Sequence, residues 1–196
     1  MNKADEKTDV KNTVNRKILI LDGAMGTMLQ KEGLTEEQCR GEEYKAHPVE
    51  LIGINGILNI TQPGIVKKIH KEYLEAGADI VTTNSFNANY YGLKEYFLEE
   101  EVYKINHAAA KIAKEAVNEY CENIEHKSCF VAGALGPTSK TASISPDINQ
   151  PSNREVTFDD LAKVYKSQAQ ALIDGGVDLL LVETVFDTLN AKAALF

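Results

Sequence analysis

The feature that most constrains the fold is a recurring unit in which a short apolar run ends at a polar residue and an amphipathic stretch follows. Four runs of this kind occupy residues 18–21, 78–84, 129–135 and 178–183. Runs that are apolar along most of their length are typical of strands buried on both faces of a parallel sheet. Such strand-then-helix units predict an α/β protein whose parallel strands are covered by helices.

Helices are predicted between the runs, where apolar side chains recur at steps of three and four residues. Gly77 can end the first of these helices. Thr157, with Asp160 three residues later, matches a capping box, and Gly175 and Gly176 can stop the helix that follows. The predicted helices cover residues 62–76, 102–120, 158–174 and 187–196.

Two architectures fit this order of elements. Residues 75–81 resemble residues 174–180, because each segment has a helix end, a glycine stop, an aspartate and a buried run. An open doubly wound sheet and a (β/α)8 barrel both contain such units. The chain has 196 residues and ends inside the fourth predicted helix, whereas a complete barrel needs about 250 residues. We therefore expect an incomplete (β/α)8 TIM barrel of about the first four βα units, with a flexible polar lead at residues 1–16 and the barrel domain at residues 17–196.

Charge and composition exclude several classes of function. The sequence has 21 basic and 29 acidic residues, for a net charge of −8, and no long basic run, which argues against a nucleic-acid partner. No apolar stretch approaches the roughly 20 residues of a membrane-spanning helix, so no membrane partner is expected. The polar N-terminus lacks the apolar core of a signal peptide, which favours a cytoplasmic protein.

Polar residues follow each predicted strand, at the end where α/β folds bind ligands. Asp22, Asn84, Thr138 and Glu183 lie at or just after the ends of the four runs in turn, and a glycine-rich turn at residues 23–26 exposes backbone N–H groups. The turn lacks the glycine spacing of a dinucleotide site and the lysine of a P-loop, which disfavours a nucleotide. The set suggests a pocket for a small zwitterion, with carboxylates around its ammonium and N–H groups around its carboxylate.

These residues also have purely structural interpretations. Asp22 can cap a turn, Glu183 can cap the next helix, and Asn84 can form an Asx-turn. Sequence order alone does not decide between capping and ligand binding.

Five long motifs of the chain carry a specific resemblance, at residues 21–30, 73–86, 131–138, 141–147 and 182–194. They closely resemble the homocysteine-binding domain of cobalamin-dependent methionine synthase, within the homocysteine S-methyltransferase family. The resemblance covers about residues 17–196. It favours the cobalamin-dependent enzyme over relatives that use betaine or S-methylmethionine as methyl donor.

This resemblance implies a methyltransferase whose (β/α)8 barrel binds homocysteine and a zinc ion, and the zinc takes the homocysteine sulfur as a thiolate. A methyl group passes to that sulfur from methylcobalamin on a separate domain, and methyltetrahydrofolate on another domain remethylates the cofactor. The implied partners are homocysteine and downstream folate- and cobalamin-binding domains of a parent chain.

The resemblance assigns substrate binding to seven residues: Asp22, Gly23, Ala24, Met25, Asn84, Thr138 and Glu183. The two carboxylates match the positions that hold the substrate ammonium group. The turn that includes Gly26 matches the loop whose backbone lies near the substrate carboxylate. The asparagine and the threonine match strand-end positions that face the same mouth.

The zinc ligands of the family are three cysteines that would lie beyond Phe196. Cys39, Cys121 and Cys129 match none of these positions, and their spacing matches no common metal site. We therefore expect no metal ligand, no bound cofactor and no catalytic residue in this chain, which would be inactive alone. The alternatives are a non-catalytic half-barrel module that needs a partner chain, a cobalamin-independent homocysteine S-methyltransferase, and a different α/β enzyme, such as a lyase, that binds another amine.

Overall fold

The computed structural model describes residues 10–122, 124 and 127–196. Its strands are β1 (Ile80–Thr82), β2 (Phe130–Leu135) and β3 (Leu179–Val182). They form one sheet in the order β1, β2, β3, and both neighbouring pairs are parallel. The structure therefore confirms an α/β fold with parallel strands.

The first apolar run lies beside β1 but forms less strand than predicted. Leu21 makes an isolated parallel bridge with Ile80, and the carbonyl of Ile20 accepts hydrogen bonds from the N–H groups of Asp79 and Ile80 at 2.8 and 3.1 Å. The prediction that this run is buried on both faces is wrong, since Ile18 and Ile20 are 90% and 59% exposed. Within the described residues the run has a strand neighbour on one side only, which leaves its side chains open to solvent.

Helices α1 to α9 are, in chain order, Val10–Val14, Met25–Lys31, Glu36–Arg40, Leu58–Thr61, Pro63–Glu75, Tyr90–Lys94, Val102–Glu122, Phe158–Gly175 and Thr188–Leu195. Short 3-10 helices lie at Asn55–Ile57 and Glu99–Glu101. Residues 1–9 of the predicted flexible lead lie outside the described residues, and α1 falls within the rest of it. None of the described helices is long and apolar enough to cross a membrane.

The predicted ends of α8 are confirmed. Thr157 Oγ1 accepts a hydrogen bond from the N–H of Asp160, and the Asp160 side chain accepts one from the N–H of Thr157. Gly176 adopts a φ of 96°, the left-handed conformation that ends many helices. These two signals set the register in which α8 buries Leu161 and Tyr165.

Helix α7 is central in the layer that covers the sheet, because it packs against both α5 and α8. One core cluster joins Leu74 of α5 and Ala113 of α7 to Val81 of β1 and Val131 of β2. Strand β2 is buried along its whole length, whereas Leu180 of β3 is 37% exposed. The sheet is therefore best covered at its centre and more open at its edges.

Hydrogen bonds join the segment after β1 to the end of β2. The N–H of Ala134 donates to Thr83 Oγ1 at 2.9 Å, and Ser85 Oγ donates to the carbonyl of Ala134 at 2.8 Å. The two hydroxyl oxygens lie 2.6 Å apart. These contacts fix the strand ends at the edge of the sheet where polar residues are predicted to converge.

Candidate functional site

A cavity of about 700 Å³ opens at the carboxyl ends of the strands. The turn at residues 22–26, the stretch at residues 53–56 and the segments that follow β1, β2 and β3 all contribute to its lining. The structure brings together every residue predicted to bind substrate: Asp22, Gly23, Ala24, Met25, Asn84, Thr138 and Glu183. The convergence expected from the strand-end rule is therefore present, and the binding roles remain predictions.

The cavity is acidic. Asp22, Glu95 and Glu183 line it, and no Lys, Arg or His is among the described residues of its lining. The negative charges of these carboxylates have no positive side chain beside them in the described lining. The cavity therefore favours a ligand that carries a cationic group.

Asp22 is held against the end of β1. Its Oδ2 accepts a hydrogen bond from the N–H of Thr82, and its Oδ1 accepts one from Thr82 Oγ1, both at 2.9 Å. Burial nevertheless raises the pKa of Asp22 to about 6, and the negative charge of Glu183 adds to the rise. At neutral pH the carboxylate is ionised but poorly solvated, so a cationic ligand group would stabilise it.

Glu183 is half-buried just after β3, and burial raises the pKa of its carboxyl group. Its N–H donates to the carbonyl of Leu135 at 3.1 Å, but within the described residues its carboxylate accepts no hydrogen bond. Thr184 follows with a φ of 56°, a left-handed conformation that costs free energy in a β-branched residue. Backbone strain at Thr184, beside a Glu183 carboxylate that accepts no hydrogen bond within the described residues, indicates that this site is not optimised for stability alone.

The glycine-rich turn is fixed from outside by Tyr73 of α5. The hydroxyl of Tyr73 donates to the carbonyl of Ala24 at 3.2 Å, and a Cβ on Gly23 would lie 3.0 Å from the tyrosine ring. Glycine at this position allows the ring to lie directly on the backbone. Met25 places its side chain in the core, so the part of Met25 that could meet a ligand is its backbone.

The side chain of Asn84 anchors the floor of the cavity. Its Nδ2 donates to the carbonyl of Asn55 at 2.7 Å and to Asn59 Oδ1 at 3.2 Å. Both amide hydrogens therefore have protein partners, which fits a role in shaping the cavity better than direct donation to a ligand.

Thr138 likewise anchors a loop at the cavity mouth. Its Oγ1 donates to the carbonyl of Lys140 at 2.6 Å and accepts a hydrogen bond from Asn190 Nδ2 at 3.0 Å. Because Thr138 is only 4% exposed, its hydroxyl serves the loop between β2 and α8 more directly than the cavity.

Sequence reasoning missed several residues of the lining, including Thr82, Asn55, Phe86 and Tyr96. Thr82 had a usable signal, because residues two apart in a strand share a face and Asn84 was already placed at the site. The other three lie in irregular or short helical segments, where no periodic pattern indicates direction.

The described residues do not fit a zinc site. They contain no group of three or more His, Cys, Asp or Glu side chains that could hold a metal ion. Cys39 and Cys129 are buried and Cys121 is partly buried, and none of them lines the cavity.

Fold and site together define a parallel α/β protein with an acidic cavity at the carboxyl ends of its strands. The chain belongs to the homocysteine S-methyltransferase family, whose profile matches residues 19–196. The resemblance inferred from the motifs is thus confirmed for the family.

Solved structures of the homocysteine methyltransferase MmuM from Escherichia coli share the fold. The metallated form matches with a TM-score of 0.71 at 22% identity, over 93% of this chain and 59% of that chain. The oxidized form matches with a TM-score of 0.71 at 23% sequence identity, again over 93% of this chain and 59% of that chain. The apo form matches with a TM-score of 0.63 at 23% sequence identity, over 92% of this chain and 54% of that chain. The chain therefore spans less than two thirds of the length of these proteins.

Proposed function

We propose that this chain is the N-terminal part of a homocysteine-binding (β/α)8 barrel, and that it holds the amino-acid end of homocysteine for methylation of the sulfur. Family membership supports the substrate class. The similarity to a longer methyltransferase and the exposed edges of the sheet support an incomplete barrel of about four βα units.

The observation that carries the proposal is the pairing of Asp22 and Glu183 in a cavity whose described lining has no cationic side chain. Burial raises the pKa of both carboxyl groups, and the charge of Glu183 raises that of Asp22 further. An ammonium group between them would offset the poor solvation of both carboxylates and donate charge-assisted hydrogen bonds.

The substrate carboxylate would then lie at the turn of residues 23–26. A small glycine-rich turn lets backbone N–H groups approach an anion closely. The hydroxyl of Tyr73 donates to the carbonyl of Ala24, which helps to keep the turn in one shape.

Zinc and methylcobalamin belong to our proposal for the whole enzyme. The family resemblance implies that zinc activates the homocysteine sulfur as a thiolate. The described residues contain no group of three or more side chains that could hold a metal ion. We therefore assign to this chain the binding and orientation of homocysteine.

We further propose the cobalamin-dependent methionine synthase branch, because the five motifs taken together resemble that branch more than the relatives that use betaine or S-methylmethionine. A cobalamin-independent homocysteine S-methyltransferase is the alternative, and the fold shared with MmuM is compatible with it. Assays of the enzyme that carries this chain, with methylcobalamin and with S-methylmethionine as alternative donors, distinguish the two branches.

The binding proposal is tested by calorimetry with L-homocysteine and with 4-mercaptobutanoate, which lacks the amino group. Asp22→Asn should weaken homocysteine binding about tenfold or more, since it removes a charge-assisted partner of the ammonium. It should leave binding of 4-mercaptobutanoate nearly unchanged. Asp159→Asn, on an exposed residue of α8, serves as the charge-matched control.

Two outcomes would contradict the proposal. Equal losses for both ligands would mean that Asp22 does not meet the amino group. No detectable binding of homocysteine by the unsubstituted chain would mean that the described cavity is insufficient for the substrate.

A further inference from the structure

The segment at residues 83–89 forms one side of the cavity and has no regular secondary structure along most of its length. Its carbonyl groups accept hydrogen bonds from amide side chains that belong to three different helices. These bonds run from Asn59 Nδ2 of α4 to Asn84 O (2.8 Å), from Gln168 Nε2 of α8 to Ser85 O (2.8 Å) and from Asn106 Nδ2 of α7 to Ala88 O (2.7 Å).

The three amides are almost completely buried. Asn106 and Gln168 are 0% exposed, and Asn59 is 3% exposed. A buried amide is unfavourable unless it is hydrogen-bonded, so apolar residues would be the simpler choice at these positions if packing were the sole requirement. Among the described residues Gln168 Oε1 has no hydrogen-bond partner, so this position is not optimised for stability.

Two of the amides are also coupled to each other. Gln168 Nε2 donates to Asn106 Oδ1 at 3.2 Å, in addition to the carbonyl of Ser85. Asn106 Nδ2 donates to the carbonyl of Val102 in its own helix at 2.7 Å. The orientation of each amide is thereby fixed, and the carbonyls of the segment are held toward the helices.

The same segment also contributes to the lining of the cavity. Asn84, Phe86, Asn87 and Ala88 all line it. A segment without regular structure keeps one shape when outside groups fix its backbone, and preformed sites lose less entropy on binding.

We propose that Gln168, Asn106 and Asn59 are positioning residues, which hold residues 83–89 in the shape that receives the ligand without touching the ligand themselves. The ligand in this proposal is homocysteine, so this part rests on the proposed function. The shape of the segment in the free chain does not rest on it, which allows the two to be tested separately.

The first arm of the test is amide hydrogen exchange without ligand, followed by mass spectrometry of peptides. Gln168→Met keeps the length of the side chain and removes its hydrogen bonds. We expect exchange in residues 83–89 to rise about 3- to 10-fold, the range for loss of one net hydrogen bond, while β3 and α5 keep their rates. Gln170→Met is the matched control, because Gln170 is exposed on the same helix and bonds only Asp174 in the described contacts.

The second arm measures homocysteine affinity by calorimetry in the same variants. Gln168→Met should weaken binding about 3- to 10-fold, and Gln170→Met should not change it. Asn106→Ala removes the hydrogen bond to the carbonyl of Ala88 in the same segment. The proposal is therefore decided even if one of the two variants does not fold. Because Gln168 and Asn106 share a hydrogen bond, the effects of the double variant should be smaller than the product of the single effects.

The outcomes separate the two proposals. Two exchange results overturn the positioning role and leave only a contribution to stability. The first is a uniform rise in the exchange rate over all elements. The second is an exchange rate in residues 83–89 that is the same in Gln168→Met and Gln170→Met. Faster exchange in residues 83–89 with unchanged homocysteine affinity also overturns it, because the segment would then be irrelevant to binding. If the unsubstituted chain binds no homocysteine, the proposed function fails, and the exchange arm still decides whether the amides position the segment.

Discussion

The two sides of the cavity differ in how firmly their carboxylates are held. On the β1 side, both oxygens of Asp22 accept hydrogen bonds from Thr82 at 2.9 Å, and buried amides bind the neighbouring segment. On the β3 side, the carboxylate of Glu183 accepts no hydrogen bond within the described residues. Thr184 has a φ of 56° and Phe186 is 71% exposed.

This difference shows that the carboxylate on one side of a cavity can be held in place before a ligand binds, while the carboxylate on the other side stays free to adjust. A group held by several hydrogen bonds loses little entropy when a ligand binds, and so it contributes specificity. A group without partners is able to reorient and so to adapt to the ligand. We therefore expect the β1 side to determine which ligand group is accepted, and the β3 side to complete the contact after entry.

The largest effect is expected from disturbing the β1 side through its contact with β2. A Cβ on Gly136 would lie 2.4 Å from the backbone carbonyl oxygen of Phe86, so Gly136→Ala must displace the segment after β1. We expect the free energy of unfolding to fall by about 3 kcal/mol in urea titrations. Gly64→Ala is the control, because nothing lies within 4 Å of the added Cβ. Equal stability of the two variants would show that the β1 side is not tightly packed.

The second prediction concerns acid stability on the β1 side. His70 of α5 is 0% exposed, both ring nitrogens lack hydrogen-bond partners among the described residues, and burial lowers its pKa to about 4. The unfolded chain, with a His pKa of about 6.5, binds the proton first, so stability falls as pH drops from 6.5 toward 4. The loss should reach about 2 kcal/mol at pH 5.

His70→Leu should abolish most of this acid loss and keep or raise the stability at pH 7, because it removes two unpaired polar atoms from the core. His107→Leu is the control, since His107 is partly exposed and stacks on Tyr103. Urea titrations at pH 5 and pH 7 provide the comparison. An unchanged acid slope in His70→Leu would contradict the prediction.

The third prediction compares the two carboxylates directly. Asp22→Asn should weaken homocysteine binding about tenfold, whereas Glu183→Gln should weaken it about threefold, because an unanchored, half-buried carboxylate contributes less to an ion pair. Calorimetry at pH 7.5 measures both, with thermal melts to establish that the variants remain folded. Equal losses of affinity in the two variants would mean that the hydrogen bonds to Asp22 do not make its carboxylate more important for binding than that of Glu183.

The last prediction concerns the pH dependence of binding, which should be a smaller effect than that of Asp22→Asn. The pKa of Asp22 is raised to about 6 by burial, so protonation should weaken homocysteine binding about fourfold between pH 7 and pH 5.5. The measurement is best made in the His70→Leu background, where acid destabilises the fold less. The Asp22→Asn variant should lose this part of the pH dependence, and a profile that survives the substitution would assign it to another group.

Much of the site follows from the order of residues along the chain. Asp22, Asn84, Thr138 and Glu183 each lie at or just after the end of an apolar run, and parallel strands bring their carboxyl ends to one edge. That rule needs no knowledge of distant contacts, and so it works from the sequence. It does not reveal that the side chains of Asn84 and Thr138 are already occupied by protein partners.

Other features were accessible in part. Gln168 lies three residues after Tyr165 and four before Leu172, so it is a polar residue on a predicted apolar stripe, which is a recognisable signal of a buried hydrogen bond. Its partner, the carbonyl of Ser85, is 83 residues away. Such pairings depend on how helices pack, and local patterns do not encode them. The exposure of Ile18 was missed for a similar reason, since it depends on the neighbours of an edge segment.

The hydroxyl contacts at the ends of β1 and β2 have a consequence for proton movement. Ser85 Oγ donates to the carbonyl of Ala134, so the hydrogen between the two hydroxyls must come from Thr83, whose oxygen already accepts from the N–H of Ala134. The direction of every hydrogen in this closed circuit is thus determined, and reversal would leave a carbonyl facing no donor. The hydroxyls of Thr83 and Ser85 are therefore held as structural hydrogen-bond links and are unsuited to act as a proton relay.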